Sequence, residues 1–437
     1  VFASIKRLDN VNIDKKSMIF SLFIIYFIFS FIFNEDINVK LFSILLTLSF
    51  IFIVVKNKKV EVFMPLLIVS LIGFFTVALG YYIFDRLDLI PKGGPLSTYR
   101  RMVGLYVLLI PLAFLPTVLD HIHYKVNYLF KVVCLGVLFL GLYIFYYNLK
   151  FNFHRGELTI FFNPIASYDI SFIAVSLLSL FYGFYNKSKY SYFIIILSLF
   201  ALFNLILHGS RGAWVALPII FLVLIYSYFR TEKKKIALML GSVFIFMLIN
   251  LLNTNSPIMS RIGHFQSDQQ NIIQNKYENS TGIRILLWKN AIEMFEQAPV
   301  MGVSLYGVEA ENCRRAEVSK IPECYQHAHN IFLNELAANG IIGFVGLLIS
   351  LFLPLFYFLF TFIRTHHEQL KFLGLAGFAF VLQYILSGLT EYYLFFRNPT
   401  FIYYFIVAML MSFIYLQQRN LSNFCCMVDK NHSMASK

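Results

Sequence analysis

The stretch His327-Ala328-His329-Asn330-Ile331-Phe332-Leu333-Asn334-Glu335-Leu336-Ala337-Ala338-Asn339-Gly340-Ile341-Ile342-Gly343 opens polar and passes through a turn or two of amphipathic pattern. It meets Gly340 and then enters an apolar run that continues to residue 363. A bilayer core needs about 20 apolar residues of helix to cross it. The run is that long, so it reads as a membrane span. The histidines and asparagines before it then sit where a helix reaches the membrane surface. No earlier part of the chain offers a neutral-pH base in so defined a place.

Working outward, the composition agrees. The 437 residues are 59% hydrophobic and 14% charged, against about 45–50% and about 25% for soluble domains. The expectation is an all-α polytopic membrane protein built as one bundle. The net charge of +13 is no argument for nucleic acid, because membrane proteins gather Lys and Arg in cytoplasmic loops. The apolar run at 18–33 reads as a retained helix rather than a cleaved leader.

About twelve spans are expected. They fall near 18–34, 39–55, 62–84, 102–119, 129–147, 165–185, 191–207, 213–229, 236–252, 340–363, 372–390 and 400–416. This divides the chain into transmembrane helices 1–9 (1–252), a polar outer segment with its own helical patterns (253–339), and helices 10–12 with a tail (340–437). Lys15, Lys16, Lys56, Lys125, Lys187 and Lys233 to Lys235 all fall on one side. The positive-inside rule makes that side cytoplasmic, with both termini there and the long segment outside.

Arginine breaks the pattern. Arg86, Arg100, Arg101, Arg155, Arg211, Arg261, Arg284, Arg314, Arg315 and Arg397 all fall outside. Orientation alone does not enrich an outer face in Arg. A guanidinium grips phosphate with a planar fork and keeps its charge. The alternative is pairing with lipid headgroups or with acids such as Glu157, Glu309 and Glu311. Two positions stand apart. Arg211, in His208-Gly209-Ser210-Arg211-Gly212-Ala213-Trp214, lies in a tight turn between spans, where a charge is costly unless paired. Arg284 opens a segment with Ile285, Trp288, Ile292 and Phe295 at helical spacing. That helix reads as lying along the membrane with Trp288 at the interface, or as a cap helix packed on the bundle.

His329 is the candidate general base, since its ordinary pKa is close to neutrality; a helix cap or a carbonyl partner is the plainer reading. Asn330 reads as a substrate ligand or a helix N-cap. His327, if the stretch is helical, faces away from His329. With that divergence and no carboxylate or Cys cluster nearby, no metal is expected. Glu391, at the outer end of the eleventh span near Arg397, orients His329, orients an arginine, or ends a helix. Pro91-Lys92-Gly93-Gly94-Pro95 is a gate for lipid access or a plain turn. Cys313 and Cys324 share the outer segment, and a disulfide between them is expected if the compartment is oxidising.

Ser210-Arg211-Gly212-Ala213-Trp214, then Arg284…Trp288…Pro299…Gly302, then His329-Asn330…Leu333…Gly340…Gly343, in that order and spacing, resemble the conserved segments of the O-antigen ligase family. Glu391 is also similar to a family position. The motifs cover the C-terminal half; the topology covers the whole chain. The resemblance implies a GT-C-type glycosyltransferase of the bacterial inner membrane, independent of metal and cofactor. Its donor would be O-polysaccharide on undecaprenyl diphosphate and its acceptor a sugar hydroxyl of lipid A–core. It implies Arg211 and Arg284 on the leaving diphosphate, with Arg100 and Arg101 as weaker candidates, and His329 as base. Asn330, Trp288 and Glu391 would bind or orient substrate. O-antigen polymerases and protein O-oligosaccharyltransferases share the superfamily. A lipid-glycan flippase is a more remote reading, disfavoured because the notable charges lie on one side.

Overall fold

In a computed structural model, the described residues run through 110–151, 165–208, 211–253, 279–318 and 321–435, with shorter pieces within 62–75 and 256–277. The expected spans at 18–34 and 39–55, more than half of 62–84, the loop at 91–95, and Arg100 and Arg101 lie outside them. So do the side chains of Arg211 and Arg397. No strand occurs among the described residues.

The helices are α1 (Leu115–His121), α2 (Val126–Lys150), α3 (Ile165–Tyr185), α4 (Ser191–Leu207), α5 (Arg211–Trp214) and α6 (Leu217–Tyr228). They continue with α7 (Lys233–Leu252), α8 (Ser280–Gln297), α9 (Ser304–Glu317), α10 (Ile331–Arg364), α11 (Glu368–Gly388) and α12 (Arg397–Ala435). Six of these are long and apolar enough to cross a bilayer: α2, the Tyr168–Tyr185 part of α3, α7, α10, α11 and the Asn398–Ser422 part of α12. Ser191–Leu207 and Gly212–Tyr228 are shorter apolar helices. The chain is therefore a polytopic helical membrane protein. The expected span 102–119 is described only from residue 110, as a 3-10 turn leading into α1.

Successive spans reverse direction, so the ends near 169, 208, 330 and 391 gather at one end of the bundle. Lys187 and Lys235 lie at the other. There Lys187 pairs with Glu368 at 2.9 Å and Lys235 donates to the carbonyls of Phe184 and Asn186. A buried ammonium needs such acceptors. The core is mainly apolar; the spanning parts of α3 and α12 are largely buried, whereas α7 keeps a wide apolar face outward, as a lipid-facing helix does.

Two elements depart from their expected form. The 340–363 span begins earlier: α10 starts at Ile331 and kinks at Gly340 (φ 60°, ψ −159°). Only glycine adopts such a backbone cheaply. The first half of α10 is a separate polar-lined piece, with Asn334, Glu335 and Asn339 buried. In α8 the buried face is Leu287, Asn290, Ala291 and Met294, rather than the expected stripe ending in Ile292 and Phe295; Ile292 is 45% exposed. Both stripes have helical spacing, and α8 turns the one it packs on α10 inward. Trp288 packs half-buried against the protein core, which favours the cap-helix reading.

Candidate functional site

The site is built around the short segment before α10. Asn330 caps that helix, accepting from the N–H groups of Phe332 (2.9 Å) and Leu333 (3.1 Å) while its amide donates to the Leu389 carbonyl at 3.1 Å. The cap is its structural role, and it ties α10 to the end of α11. Asn334 reaches back to accept from Ala328 N–H at 2.9 Å. Between these two anchors His329 is held at φ +49°, a left-handed conformation that costs a non-glycine residue of order 1–3 kcal/mol. The expense is sustained because both neighbours are pinned.

That backbone overturns the expectation that His327 and His329 diverge. The segment is not helical, and the two rings lie 4.3 Å apart, edge to face. His329 N–H donates to His327 Nδ1 at 3.3 Å, so His327 accepts there and is neutral. Burial drives the His327 pKa down to about 3, helped by the charges of His329 and Arg284 against the pull of Glu391. Among these influences the Arg284 charge is the smallest.

Glu391 faces His329. His329 Nδ1 lies 3.2 and 3.4 Å from the two carboxylate oxygens. An ionised carboxylate only accepts, so Nδ1 carries the proton and Nε2 is left as the basic nitrogen. Burial would raise the Glu391 pKa. The hydrogen bond from His329, the nearby imidazoles and the Tyr392 N–H outweigh it and hold the carboxyl well below its usual range. The reading in which Glu391 orients His329 is thus the one the geometry favours. His327, His329 and Glu391 also offer ligand atoms within 4.8 Å of one another. The geometric ground for expecting no metal fails, because the imidazoles converge and a carboxylate joins them.

Arg284 lies in the first turns of α8, which is capped by Asn279 accepting from Gly282 N–H at 2.7 Å. It is half-buried and donates to Ser280 Oγ at 3.2 Å. Arg211 begins α5. The next residues are fixed: Gln383 and Ser387 donate to the Ala213 carbonyl at 2.6 and 3.3 Å, and a Cβ at Gly212 would meet the Thr390 side chain. Thr390 precedes Glu391. The Arg211 turn and the Glu391 turn are therefore in contact, the Gly212 backbone against the Thr390 side chain.

The outer segment braces the site. Arg315 is buried and donates to Asn290, to Glu293 (2.7 Å) and to Glu311 (2.8 Å). Arg314 pairs with Glu311 at 2.7 Å. Both arginines pair with acids, and Arg315 joins α8 to α9. Asn312 donates to the Tyr325 carbonyl at 2.9 Å, and Cys313 and Cys324 are bonded as a disulfide. Both fasten the chain just before His327. At the other side Gly302 (φ +70°) and Gly340 (φ +60°) let two backbones touch: Val303 N–H donates to Ala337 O at 2.8 Å and Ile341 N–H to Pro299 O at 2.9 Å. A Cβ on either glycine would collide with the opposing main chain.

Reading the sequence missed several members: Asp169 and its pairing with His208, the contact of His327 with His329, and Glu335, which accepts from Asn339 at 2.7 Å. Acids inside apolar runs were the available signal for Asp169 and Glu335.

Two similarities bear on this arrangement. A protein of Haemophilus influenzae, described as an uncharacterized protein, is 24% identical over 226 residues, which is 51% of this chain and 55% of that protein. The chain thus spans about half the length of the curated relative it matches. Residues 196–348, which run from α4 through the Arg211 turn, α8 and His329 into α10, match the family described as O-antigen ligase. Over that stretch, which holds the site's arginine turns and its imidazoles, the chain is similar to the O-antigen ligase family.

Proposed function

We propose that this protein is an O-antigen ligase: a GT-C-type, metal-independent, inverting glycosyltransferase. It moves O-polysaccharide from undecaprenyl diphosphate to a sugar hydroxyl of lipid A–core at the periplasmic face of the inner membrane. The observation that carries the reading is His329, fixed in a left-handed backbone with Nδ1 against Glu391.

The chemistry follows from those positions. The acceptor oxygen attacks the anomeric carbon as its proton passes to His329 Nε2. The new C–O bond forms while the bond to the diphosphate oxygen breaks, and the lipid diphosphate leaves with the electron pair. Glu391 holds the ring and stabilises the imidazolium that results. Arg284 and Arg211 oppose the charge growing on the diphosphate, as fixed cations do best in a site preorganised for them. Attack opposite the leaving group inverts the anomeric centre.

The deciding experiment is transfer by purified protein from a defined lipid-linked glycan to purified rough lipopolysaccharide, with chelator and without nucleotide. Product with inverted linkage is expected. Retained configuration, or activity abolished by chelator and restored by a divalent cation, would overturn the mechanism; the ligand geometry of His327, His329 and Glu391 makes the chelator arm a real test. A polymerase or protein O-oligosaccharyltransferase would use the same residues and differ in acceptor. If long chains still form on the lipid carrier when the gene is deleted, the ligase reading holds over the polymerase one.

A further inference from the structure

At the same end of the bundle lies a second buried pair that the transfer chemistry does not use. His208 Nδ1 is 2.9 and 3.0 Å from the two carboxylate oxygens of Asp169, with both side chains 2% exposed. A carboxylate so deep needs a partner with a proton to give, and Nδ1–H supplies it. His208 ends α4, its N–H still donating to Asn204 O at 3.0 Å. Arg211 begins α5 three residues later.

The Arg211 turn is thus held on both sides by buried polar contacts. Asp169 fixes the residue that enters it, and Gln383, Ser387 and Thr390 fix the residues that leave it. One residue before Asp169, Tyr168 accepts from Asn398 at 3.1 Å, beside Arg397. Consecutive residues of α3 therefore anchor the two turns that present Arg211 and Arg397. In a low-dielectric setting such contacts are strong when made and costly when lost. We infer that Asp169 and His208 are a positioning pair, which sets the Arg211 turn so that its guanidinium meets the diphosphate of the lipid-linked donor. This rests on the transferase reading above, in which Arg211 serves the leaving group.

The test is a double-mutant cycle with purified full-length protein, reading kcat and KM for the lipid-linked donor and the melting temperature. Asp169→Ala is expected to lower kcat/KM by about 10²-fold, the scale of an ångström of misplacement. In an Arg211→Lys background, already impaired, the same change should cost less than about 3-fold, because the pair acts through Arg211. Asp169→Asn, which keeps an acceptor for Nδ1–H, should restore most activity. A readout apart from turnover is Trp214, which follows in α5: with Trp288→Phe it is the sole tryptophan, and Asp169→Ala should shift its emission. The inference falls if Asp169→Ala is fully active while Arg211→Lys is impaired, or if Asp169→Ala costs the same factor in both backgrounds. It falls equally if Asp169→Asn melts like wild type yet is as inactive as Asp169→Ala. Full activity in Arg211→Lys would instead sink the role given to Arg211 in the transferase reading, and this inference with it.

Discussion

His329 combines a costly backbone with an exacting partner, so small changes around it should be felt in turnover more than in binding. His329→Ala is expected to lower kcat by at least about 10²-fold, the usual lower range for a positioned general base. Glu391→Gln keeps the volume and loses the charge that orients and stabilises the ring. It should lower kcat with little change in donor KM, and a wild-type kcat would remove Glu391 from the mechanism. His327 carries a separate prediction about pH. Its folded pKa is depressed from 6.5 to about 3, so the native state resists a proton that the unfolded chain accepts. Its stability contribution is whole above about pH 6.5 and drains away as the pH falls towards 3. The melting temperature of wild type should drop through that window, and that of His327→Gln should drop less.

Among the elements, α10 shows why some of the site escaped a reading of the sequence. The apolar periodicity announced the helices between 129 and 416, six long and two shorter, because burial in lipid leaves a plain compositional mark. It did not announce that 331–339 is a separate piece turned at Gly340, nor which apolar stripe α8 buries. Backbone angles and mutual packing set those. The same is true of His327: two residues apart in a helix would diverge, but Asn330 and Asn334 hold the segment out of a helix. The Arg211 turn and His329 stood out in the sequence because unusual polar groups at span ends are conspicuous. Asp169 was hidden because its partner is remote in the chain. Two changes probe this scale. Gly340→Ala must force both a left-handed φ and a clash with the Val300 and Met301 backbone, and should destabilise by more than about 1 kcal/mol, where an unstrained Gly-to-Ala exchange would stabilise. Cys313→Ser with Cys324→Ser opens a loop of sequence separation 11 and should lower stability by about 2–3 kcal/mol. Activity should fall further than stability, since Asn312 alone would then hold Tyr325. Thermal melting with and without reductant, beside transfer rates, checks both.

Across the whole molecule, the convergence of α3, α4, α8, α10 and α11 at one end would put the proposed chemistry on a single side of the membrane. A transporter would need its polar groups spread along a path from face to face. Cells carrying His329→Ala are accordingly expected to accumulate the lipid-linked glycan on the outer leaflet, as measured by enzymatic accessibility in intact cells. Accumulation on the inner leaflet would favour transport instead. One further property follows from the paired main-chain contacts at Gly302 and Gly340. Two main-chain hydrogen bonds rivet the link between α8 and α9 to the kinked start of α10. On the proposed function, the rate of transfer is then expected to be insensitive to the length of polymer carried by the donor.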